Sequence, residues 1–267
     1  MTSTSSASKL TYADYLQLEG LLGKQVPRSD PAEHDEMLFI IIHQTYELWF
    51  KQVLHELDHA GRLLREGDVW AALHTLRRVR TILKTLVGQV DIIETMTPRC
   101  FESFRSRLDT ASGFQSMQFR EFEFRLGIKR PDVLQYMTGG MSGRDAAMAR
   151  FEAPSLGDDL HAFLAIKGFG VPRDVLMRDV REPWTGDSRM EDILEQATRS
   201  HPDIEQLLEL LLDIDEGFQE WRFRHVQLVR RTIGDKHGTG GSPGVEFLKK
   251  TIFLPAFPDL WAVRSRF

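Results

Sequence analysis

Apolar residues recur at steps of three and four positions along most of the chain, which is the period of an α-helix. One such stripe extends from Pro31 to Gly67, and a second begins at Asp68, a residue typical of helix N-caps, and stops at Thr97-Pro98. A third extends from about Pro202 to Ile233, where Gly234 ends it. The pattern therefore predicts a fold built on three long helices.

Shorter elements are predicted between the long ones. One helix is expected around Phe101–Leu108, another after the loop Ser112-Gly113-Phe114 and ending near Gly127, and a last one near Val245–Phe253. Glycines and prolines divide the middle of the chain into short helices and turns, and no stretch has the sustained alternation of a β-strand. The predicted fold class is all-α, with a single helical-bundle domain over residues 10–267 and a disordered Ser/Thr-rich tail over residues 1–9.

Composition and charge narrow the classes of function. The chain has 267 residues and a net charge of −5, with acidic and basic residues interleaved, so no nucleic-acid-binding face is expected. The longest uninterrupted apolar run, Met37 to Ile42, is too short to span a bilayer, so no membrane contact is expected either. The one cysteine, Cys100, cannot form a disulfide within the chain and fits a cytoplasmic location.

A possible zinc motif lies in the first long helix. The segment His55-Glu56-Leu57-Asp58-His59 fits the pattern H-E-x-x-H, in which two histidines on one helical face bind a metal and the glutamate activates water. The alternative is an exposed polar face, which the charge of Asp58 between the histidines favours. A zinc hydrolase is therefore kept as the competing enzyme class.

Two other histidines lie on apolar faces of predicted long helices. His43 is surrounded at helical spacing by aromatic and aliphatic residues, and it is either a hydrogen-bonded core residue or part of a pocket. His225 lies on the long apolar face of the third helix, and it is either a buried, hydrogen-bonded histidine or an axial haem ligand.

Several charged or glycine-rich segments also leave two interpretations open. Arg105, beside Phe101 and Phe104, either clamps a substrate carboxylate or lies on the surface. The glycine-rich run 238–244 is either a mobile segment that closes over a ligand or a flexible connector. Four arginines close to His225 either pair with haem propionates or are solvated: Arg222, Arg224, Arg230 and Arg231.

Six segments, taken together and in order, resemble the tryptophan 2,3-dioxygenase family. The resemblance covers the chain from about Leu10 to its end, and six ordered matches are far more specific than the five residues of the zinc motif. The matching segments are Leu10-Thr11-Tyr12 with Tyr15-Leu16, His34 to Ile41, His43-Gln44 with Glu47-Leu48-Trp49, Ser112 to Ser116, Trp221 to His225, and Gly238-Thr239-Gly240-Gly241.

The resemblance implies a haem site and a substrate site. His225 corresponds to the axial ligand of the haem iron, and the expected cofactor is one haem b per subunit, ferrous when active. His43 corresponds to the catalytic distal histidine, which meets the indole N–H of the substrate. The other implied cofactor-binding residues are Ser112, Gly113 and Trp221. The other implied substrate-binding residues are Phe39, Phe101, Arg105 and Thr239, with Arg105 holding the carboxylate.

The resemblance also implies an assembly and a reaction. Tyr12, Tyr15 and Leu16 are expected to reach the substrate pocket of a neighbouring subunit in a homotetramer. The expected reaction adds both atoms of O2 across the indole C2–C3 bond of L-tryptophan and gives N-formyl-L-kynurenine, the first step of the kynurenine pathway. The classes that compete with this enzyme are the zinc hydrolase, a haem sensor or carrier without turnover, and a helical interaction scaffold.

Overall fold

The backbone is helical along most of its length, as the apolar spacing predicts. The computed structural model describes residues 9–137, 140–234, 236–239 and 244–267, and within these ranges it contains no β-strand. The α-helices are α1 (Tyr12–Leu16), α2 (Leu18–Leu22), α3 (His34–Arg65), α4 (Val69–Ile93), α5 (Pro98–Arg105), α6 (Met117–Leu126), α7 (Arg144–Glu152), α8 (Leu156–Ile166), α9 (Arg173–Leu176), α10 (Ser188–Ser200), α11 (Pro202–Ile233), α12 (Val245–Lys249) and α13 (Pro258–Ala262). The all-α prediction is confirmed.

The long helices α3, α4 and α11 form the centre of the bundle, with α4 packed against both of the others. Their ends follow the predicted signals. The Asp68 side chain caps α4 by accepting a hydrogen bond from the Ala71 N–H at 3.0 Å, and α11 spans Pro202–Ile233 as predicted. Gly234 follows α11 with a φ of 59°, a conformation that glycine adopts without the steric cost of a Cβ atom.

Several of the shorter elements differ from the prediction. Thr97-Pro98 ends one helical segment as predicted, but Pro98 also begins α5, because the fixed φ of proline suits the first turn of a helix. Thr97 caps that helix, so α5 begins before the predicted Phe101. The final predicted helix is shorter than expected, and α13, which begins at Pro258, is not in the prediction at all.

The described residues form three buried clusters of apolar side chains, and two of these clusters hold the long helices together. The larger one fills the space between α3, α4, α8, α10 and α11, and many of its leucines and valines are completely buried. The smaller one joins the N-terminal half of α3 to the end of α4 and to α5. Its fully or largely buried members are Ile42, Ile93, Met96, Phe101 and Phe104. Between the two clusters the helices leave room for the cavity described below.

A glycine in the middle of α3 allows a buried ion pair to approach the helix. Gly61 lies where a methyl group would overlap the Arg125 guanidinium and the Asp159 carboxylate. These two side chains are buried and pair at 2.5 Å, and Arg125 also donates to the Leu57 carbonyl at 2.9 Å. The contact fixes α6 and α8 against α3, which offsets the cost of a glycine inside a helix.

The ends of the chain bear on two further predictions. Residues 1–8 of the predicted tail lie outside the described residues, so the tail stays a prediction. Within the described ranges, no helix combines the length and the apolar character needed to cross a bilayer.

The C-terminal segment is attached to α11 by one buried carboxylate. Asp215 is completely buried, and its Oδ2 accepts hydrogen bonds from the backbone N–H groups of Ala256 and Phe257 at 2.9 and 3.0 Å. The same oxygen accepts the Trp261 Nε1–H at 3.0 Å, and Oδ1 accepts from Gln219. One side chain therefore satisfies donors that would otherwise be buried without a partner.

Replacing Asp215 by alanine is expected to lower the free energy of unfolding by about 3 kcal/mol, because buried N–H groups would lose their acceptor. Urea unfolding followed by circular dichroism measures the change. Asp213→Ala is the matched control, since Asp213 is exposed on the same helix and its one ion pair with a described residue is with Arg80. It is expected to cost less than about 1 kcal/mol. Equal effects from the two variants would contradict the anchoring role of Asp215.

Candidate functional site

A single cavity collects most of the residues that the sequence singles out. It has a volume of about 280 Å³ and lies between α3, the end of α4, α5, α6, α11 and α12. Its lining is mainly apolar and aromatic, which suits a flat, largely apolar ligand. The predicted site residues that line it are Phe39, His43, Phe101, Arg105, Ser112, Gly113, Trp221, His225 and Thr239.

His225 enters the cavity from α11 in a form that can bind a metal. Burial lowers the pKa of this imidazole to about 4, so the ring is neutral at physiological pH and keeps a lone pair. The rings of Trp221 and His225 are stacked, with centroids 5.1 Å apart and planes inclined by 6°. No described residue forms a hydrogen bond with either ring nitrogen of His225 within the structure. The indole ring of Trp221 thus orients the imidazole, and the imidazole nitrogens have no hydrogen-bond partner among the described residues.

The donor set and the lining together fit a haem. A neutral imidazole is a usual axial ligand of haem iron, and the surrounding aromatic and aliphatic side chains suit a porphyrin. Ser112 and Gly113 line the cavity in a short 3₁₀ segment, where the Ser112 hydroxyl accepts the Phe114 N–H at 3.3 Å. Glycine at position 113 leaves open space beside the backbone, because nothing lies within 4 Å of a Cβ built there. The backbone at Gly113 therefore leaves space for the edge of a porphyrin ring.

His43 enters the same cavity from α3 with a defined tautomer. Its Nδ1 lies 2.7 Å from the Phe39 carbonyl oxygen, and because that oxygen can only accept, the hydrogen is on Nδ1. The ring is accessible from the cavity, and the surrounding protein still lowers its pKa by desolvation, against the opposing effects of the Phe39 carbonyl and of Glu47. In the neutral ring, Nε2 is therefore a free hydrogen-bond acceptor.

An aromatic wall stands next to His43. The Phe39 ring lies 4.2 Å from the His43 ring, 5.7 Å from Phe101 and 5.5 Å from Phe104, measured between centroids. Phe101 and Phe104 meet edge to face at 5.5 Å. Such arrangements hold a planar substrate by its faces and edges. Phe101 has no hydroxyl group, so this wall provides apolar contact only.

Arg105 and the segment 236–239 meet at the edge of the cavity. The Arg105 Nη2 donates to the His237 carbonyl at 2.8 Å, and Nη1 lies 3.7 Å from the Glu102 carboxylate. The Thr239 hydroxyl donates to the Ala111 carbonyl at 2.5 Å. Both side chains line the cavity, and these contacts fix each of them there. The predicted continuation at Gly240-Gly241 lies outside the described residues.

The structure does not bring the N-terminal residues to this cavity. Tyr12, Tyr15 and Leu16 lie on α1 and are exposed, with Tyr12 75% and Tyr15 73% accessible. Among the described residues, α1 makes its helix contacts with α2, and neither helix has a buried residue. Their predicted place in a neighbouring subunit therefore stays a prediction.

Sequence reasoning missed several polar residues of the cavity. Tyr46 lines it, donates to the Leu86 carbonyl at 2.8 Å, and has its pKa raised by burial to about 12. Arg120 and Glu123, which the sequence did not single out, are buried along the same cavity beside Arg222, which it did. The one trace of Arg120 and Glu123 in the sequence is their position among the phenylalanines of α6. The fold then shows that no residue of this helix is exposed.

Of the other arginines near His225, two are bound elsewhere. Arg224 pairs with Asp91 at 2.6 Å and with Glu94 at 3.2 Å, and Arg231 pairs with Glu94 at 3.0 Å. Neither residue lines the cavity in the described structure. Of the two interpretations left open for these arginines, solvation does not apply to Arg222, which is 3% exposed.

The zinc interpretation of the motif in α3 is wrong, because the side chains of the motif are not arranged to bind a metal ion. Glu56 is buried and pairs with Arg78 at 2.8 Å and with Gln52 at 2.6 Å, so its carboxylate is already neutralised. The Nδ1 of His59 accepts from Arg62 at 3.1 Å. Among the described residues, no group of three or more His, Cys, Asp or Glu side chains is arranged to hold a metal ion.

Comparison with known proteins agrees with the cavity. The family model described as tryptophan 2,3-dioxygenase matches residues 2–144 and 193–267. A tryptophan 2,3-dioxygenase of Herpetosiphon aurantiacus is 51% identical over 256 residues, which are 96% of this chain and 98% of that protein. A protein of the same name from Anaeromyxobacter sp. is 51% identical over 267 residues, which are 99% of this chain and 99% of that protein. Another from Arthrobacter sp. is 43% identical over 262 residues, which are 97% of this chain and 92% of that protein. The chain belongs to the tryptophan 2,3-dioxygenase family.

Proposed function

We propose that the chain is a haem-dependent dioxygenase that adds both atoms of O2 across the indole C2–C3 bond of L-tryptophan. The product, N-formyl-L-kynurenine, is the sum of the two substrates, so no group leaves and no external reductant is consumed. The observation that carries this proposal is one apolar cavity with a neutral, unbonded His225, an aromatic wall with His43, and an arginine at its edge. The names of the relatives support the same reaction.

His225 is the proposed ligand of the iron, and Trp221, Ser112 and Gly113 complete the proposed cofactor site. The proposed cofactor is one haem b per subunit, ferrous when active, which supplies the binding and activation of O2. Stacking on Trp221 keeps the imidazole plane fixed, and burial keeps the imidazole neutral. The apolar lining excludes water, which protects reactive oxygen chemistry from side reactions.

The substrate is proposed to bind through apolar contacts at its indole ring and polar contacts at its amino-acid end. The indole ring lies against Phe39 and Phe101, and its N–H donates to Nε2 of His43. The carboxylate pairs with Arg105, and Thr239 contacts the amino-acid end. His43 therefore orients the indole and sets the polarity near its reacting bond, while Arg105 fixes the other end of the molecule. Holding both ends limits the number of ways in which the indole can face the cofactor.

The assembly is proposed to be a homotetramer in the cytoplasm, in which the N-terminal segments exchange between subunits. The exposed apolar residues of α1 and α2 support this, since an isolated chain gains nothing by presenting Tyr12, Tyr15 and Leu22 to water. In the proposed assembly, Tyr12, Tyr15 and Leu16 cover the substrate pocket of a neighbour.

His225→Ala is expected to abolish product formation and to remove the haem spectrum, because the iron would lose its protein ligand. The protein is expressed with added haem, purified and reduced, and formation of N-formyl-L-kynurenine from L-tryptophan in air is followed by absorbance. His161→Ala is the control, since His161 is also buried but lies on α8 away from the cavity. A normal ferrous spectrum in His225→Ala would move the iron ligand elsewhere.

Arg105→Met is expected to lower kcat/KM for L-tryptophan roughly 10- to 150-fold, which corresponds to about 1.5–3 kcal/mol for a lost charge-assisted pair. The loss should be much smaller for tryptamine, which has no carboxylate. Arg99→Met is the matched control, because Arg99 is an exposed arginine on the same helix. An effect within about twofold of wild type would rule out the carboxylate contact.

Replacing Tyr12, Tyr15 and Leu16 together by serine is expected to raise KM for L-tryptophan roughly fivefold or more. The same change should shift the protein towards smaller assemblies, as measured by size-exclusion chromatography with light scattering. Leu176→Ser with Met177→Ser is the control, since these residues are also exposed and apolar but lie on another part of the chain. An unchanged tetramer with unchanged KM would contradict segment exchange.

A further inference from the structure

Two buried arginines share one buried carboxylate in the wall of the cavity. Arg120 is 6% exposed, Arg222 3% and Glu123 2%, and all three line the cavity. Arg120 forms an ion pair with Glu123 through Nη1, and Arg222 pairs with the other carboxylate oxygen at 2.8 Å. A further cation that lines the cavity, Arg130, is balanced by Asp132 at 2.8 Å. The group Arg120–Glu123–Arg222 therefore carries one positive charge in excess.

The two arginines are bound to different extents. Arg222 donates to the Thr251 carbonyl at 3.0 Å and to the Leu254 carbonyl at 3.2 Å, in addition to its pair with Glu123. Those contacts attach α11 to the C-terminal segment and leave Arg222 in a structural role. Arg120, in contrast, forms its one hydrogen bond with Glu123, counted over the residues that the structure describes.

Arg120 is held in place, yet its hydrogen-bonding capacity is largely unused. Its guanidinium carbon lies 5.0 Å from the centre of the Phe114 ring and 4.9 Å from that of Phe119, so aromatic faces contact the cation. Its Nε is buried and has no partner among the described residues. Burial lowers the pKa of Arg120, and the Glu123 carboxylate opposes that shift. A buried cation with free N–H groups in a cavity wall fits an anionic ligand group.

The surroundings of Arg120 indicate which ligand supplies that anion. Phe119, on which the guanidinium lies, is 5.0 Å from Trp221, and Trp221 stacks on His225. Arg120 therefore belongs to the same part of the cavity as the proposed iron ligand. Arg105, the proposed partner of the substrate carboxylate, lies on α5 and contacts His237. The anion at Arg120 is thus expected to come from the cofactor and not from the amino acid.

We propose that Arg120 binds a propionate carboxylate of the haem, and that Glu123 and Arg222 position its guanidinium. This inference rests on the proposed haem function, and it assigns a cofactor contact to α6, which the sequence did not indicate. The propionates are the acidic groups of haem b, and a forked guanidinium is well suited to a carboxylate. One propionate would neutralise the excess charge of the group Arg120–Glu123–Arg222.

The charge balance separates this role from a structural one. Removing Arg120 leaves Glu123 and Arg222 as a matched pair, so the haem-free protein should unfold at the same temperature as wild type or higher. Arg120→Met is therefore expected to keep the helical circular dichroism spectrum and the Tm without haem. A residue that only stabilised the fold would show the opposite behaviour.

The test is a titration of haem-free protein with hemin and with hemin dimethyl ester, whose propionates carry no charge. Soret absorbance gives the Kd of each ligand for wild type, Arg120→Met and Arg224→Met. For Arg120→Met, the Kd for hemin is expected to rise about 10-fold or more, while the Kd for the dimethyl ester changes less than about threefold. Arg224→Met is the matched control, because Arg224 is a paired arginine on α11 outside the cavity, and it should behave as wild type.

Several results would overturn the inference. An equal loss for both ligands in Arg120→Met would mean that the arginine packs against the porphyrin without pairing with a carboxylate. An unchanged hemin Kd with a raised KM for L-tryptophan would assign the site to the substrate carboxylate. A loss of hemin affinity in Arg224→Met equal to that in Arg120→Met would remove the distinction between the two arginines. Failure of wild type to bind hemin at all would overturn the proposed function itself.

Discussion

The position of α11 against the C-terminal segment is the constraint on which the cavity depends. Asp215 and Arg222 lie about two turns apart on this helix, and both are buried against the same segment. The carboxylate accepts backbone N–H groups of that segment, while the guanidinium donates to backbone carbonyls of it. The negative side chain thus binds backbone donors, and the positive one binds backbone acceptors. A shift of the helix along the segment would leave these buried polar groups unpaired. His225 follows less than one turn later, and its place in the cavity is fixed with it.

The sequence predicts the long helices well because their apolar periodicity lasts for many turns and ends at recognisable caps. The α11 bounds and the Asp68 cap follow from local chemistry alone. The prediction fails where a proline can either end one helix or begin the next. The pattern predicts a stop at Pro98, although this proline also begins α5. Pro258 begins a helix that has too few residues for a periodic signal. Short helices depend on tertiary contacts that a single sequence does not display.

The candidate site also has some residues that the sequence predicts and others that only the fold reveals. Periodicity places His43 and His225 on apolar faces, but it does not distinguish a satisfied core histidine from a free one; the resemblance to a family and then the geometry make that distinction. The sequence does not predict a role for Arg120 or Glu123, because an isolated charge on a helix is usually solvated. Only the fold shows that α6 is enclosed, with charged residues buried between phenylalanines, and that its charges face a cavity.

Burial of the cavity also decides which hydrogen bonds its histidines can form. A protonated His43 would carry hydrogens on both nitrogens and could not accept the indole N–H. Desolvation lowers the pKa of His43 and of His225, and for His225 the neighbouring His43 and Arg120 add to the same shift. The neutral state that iron ligation requires is therefore the state that substrate orientation requires as well. A more polar cavity would weaken both, because hydration stabilises the charged imidazole that can serve neither role.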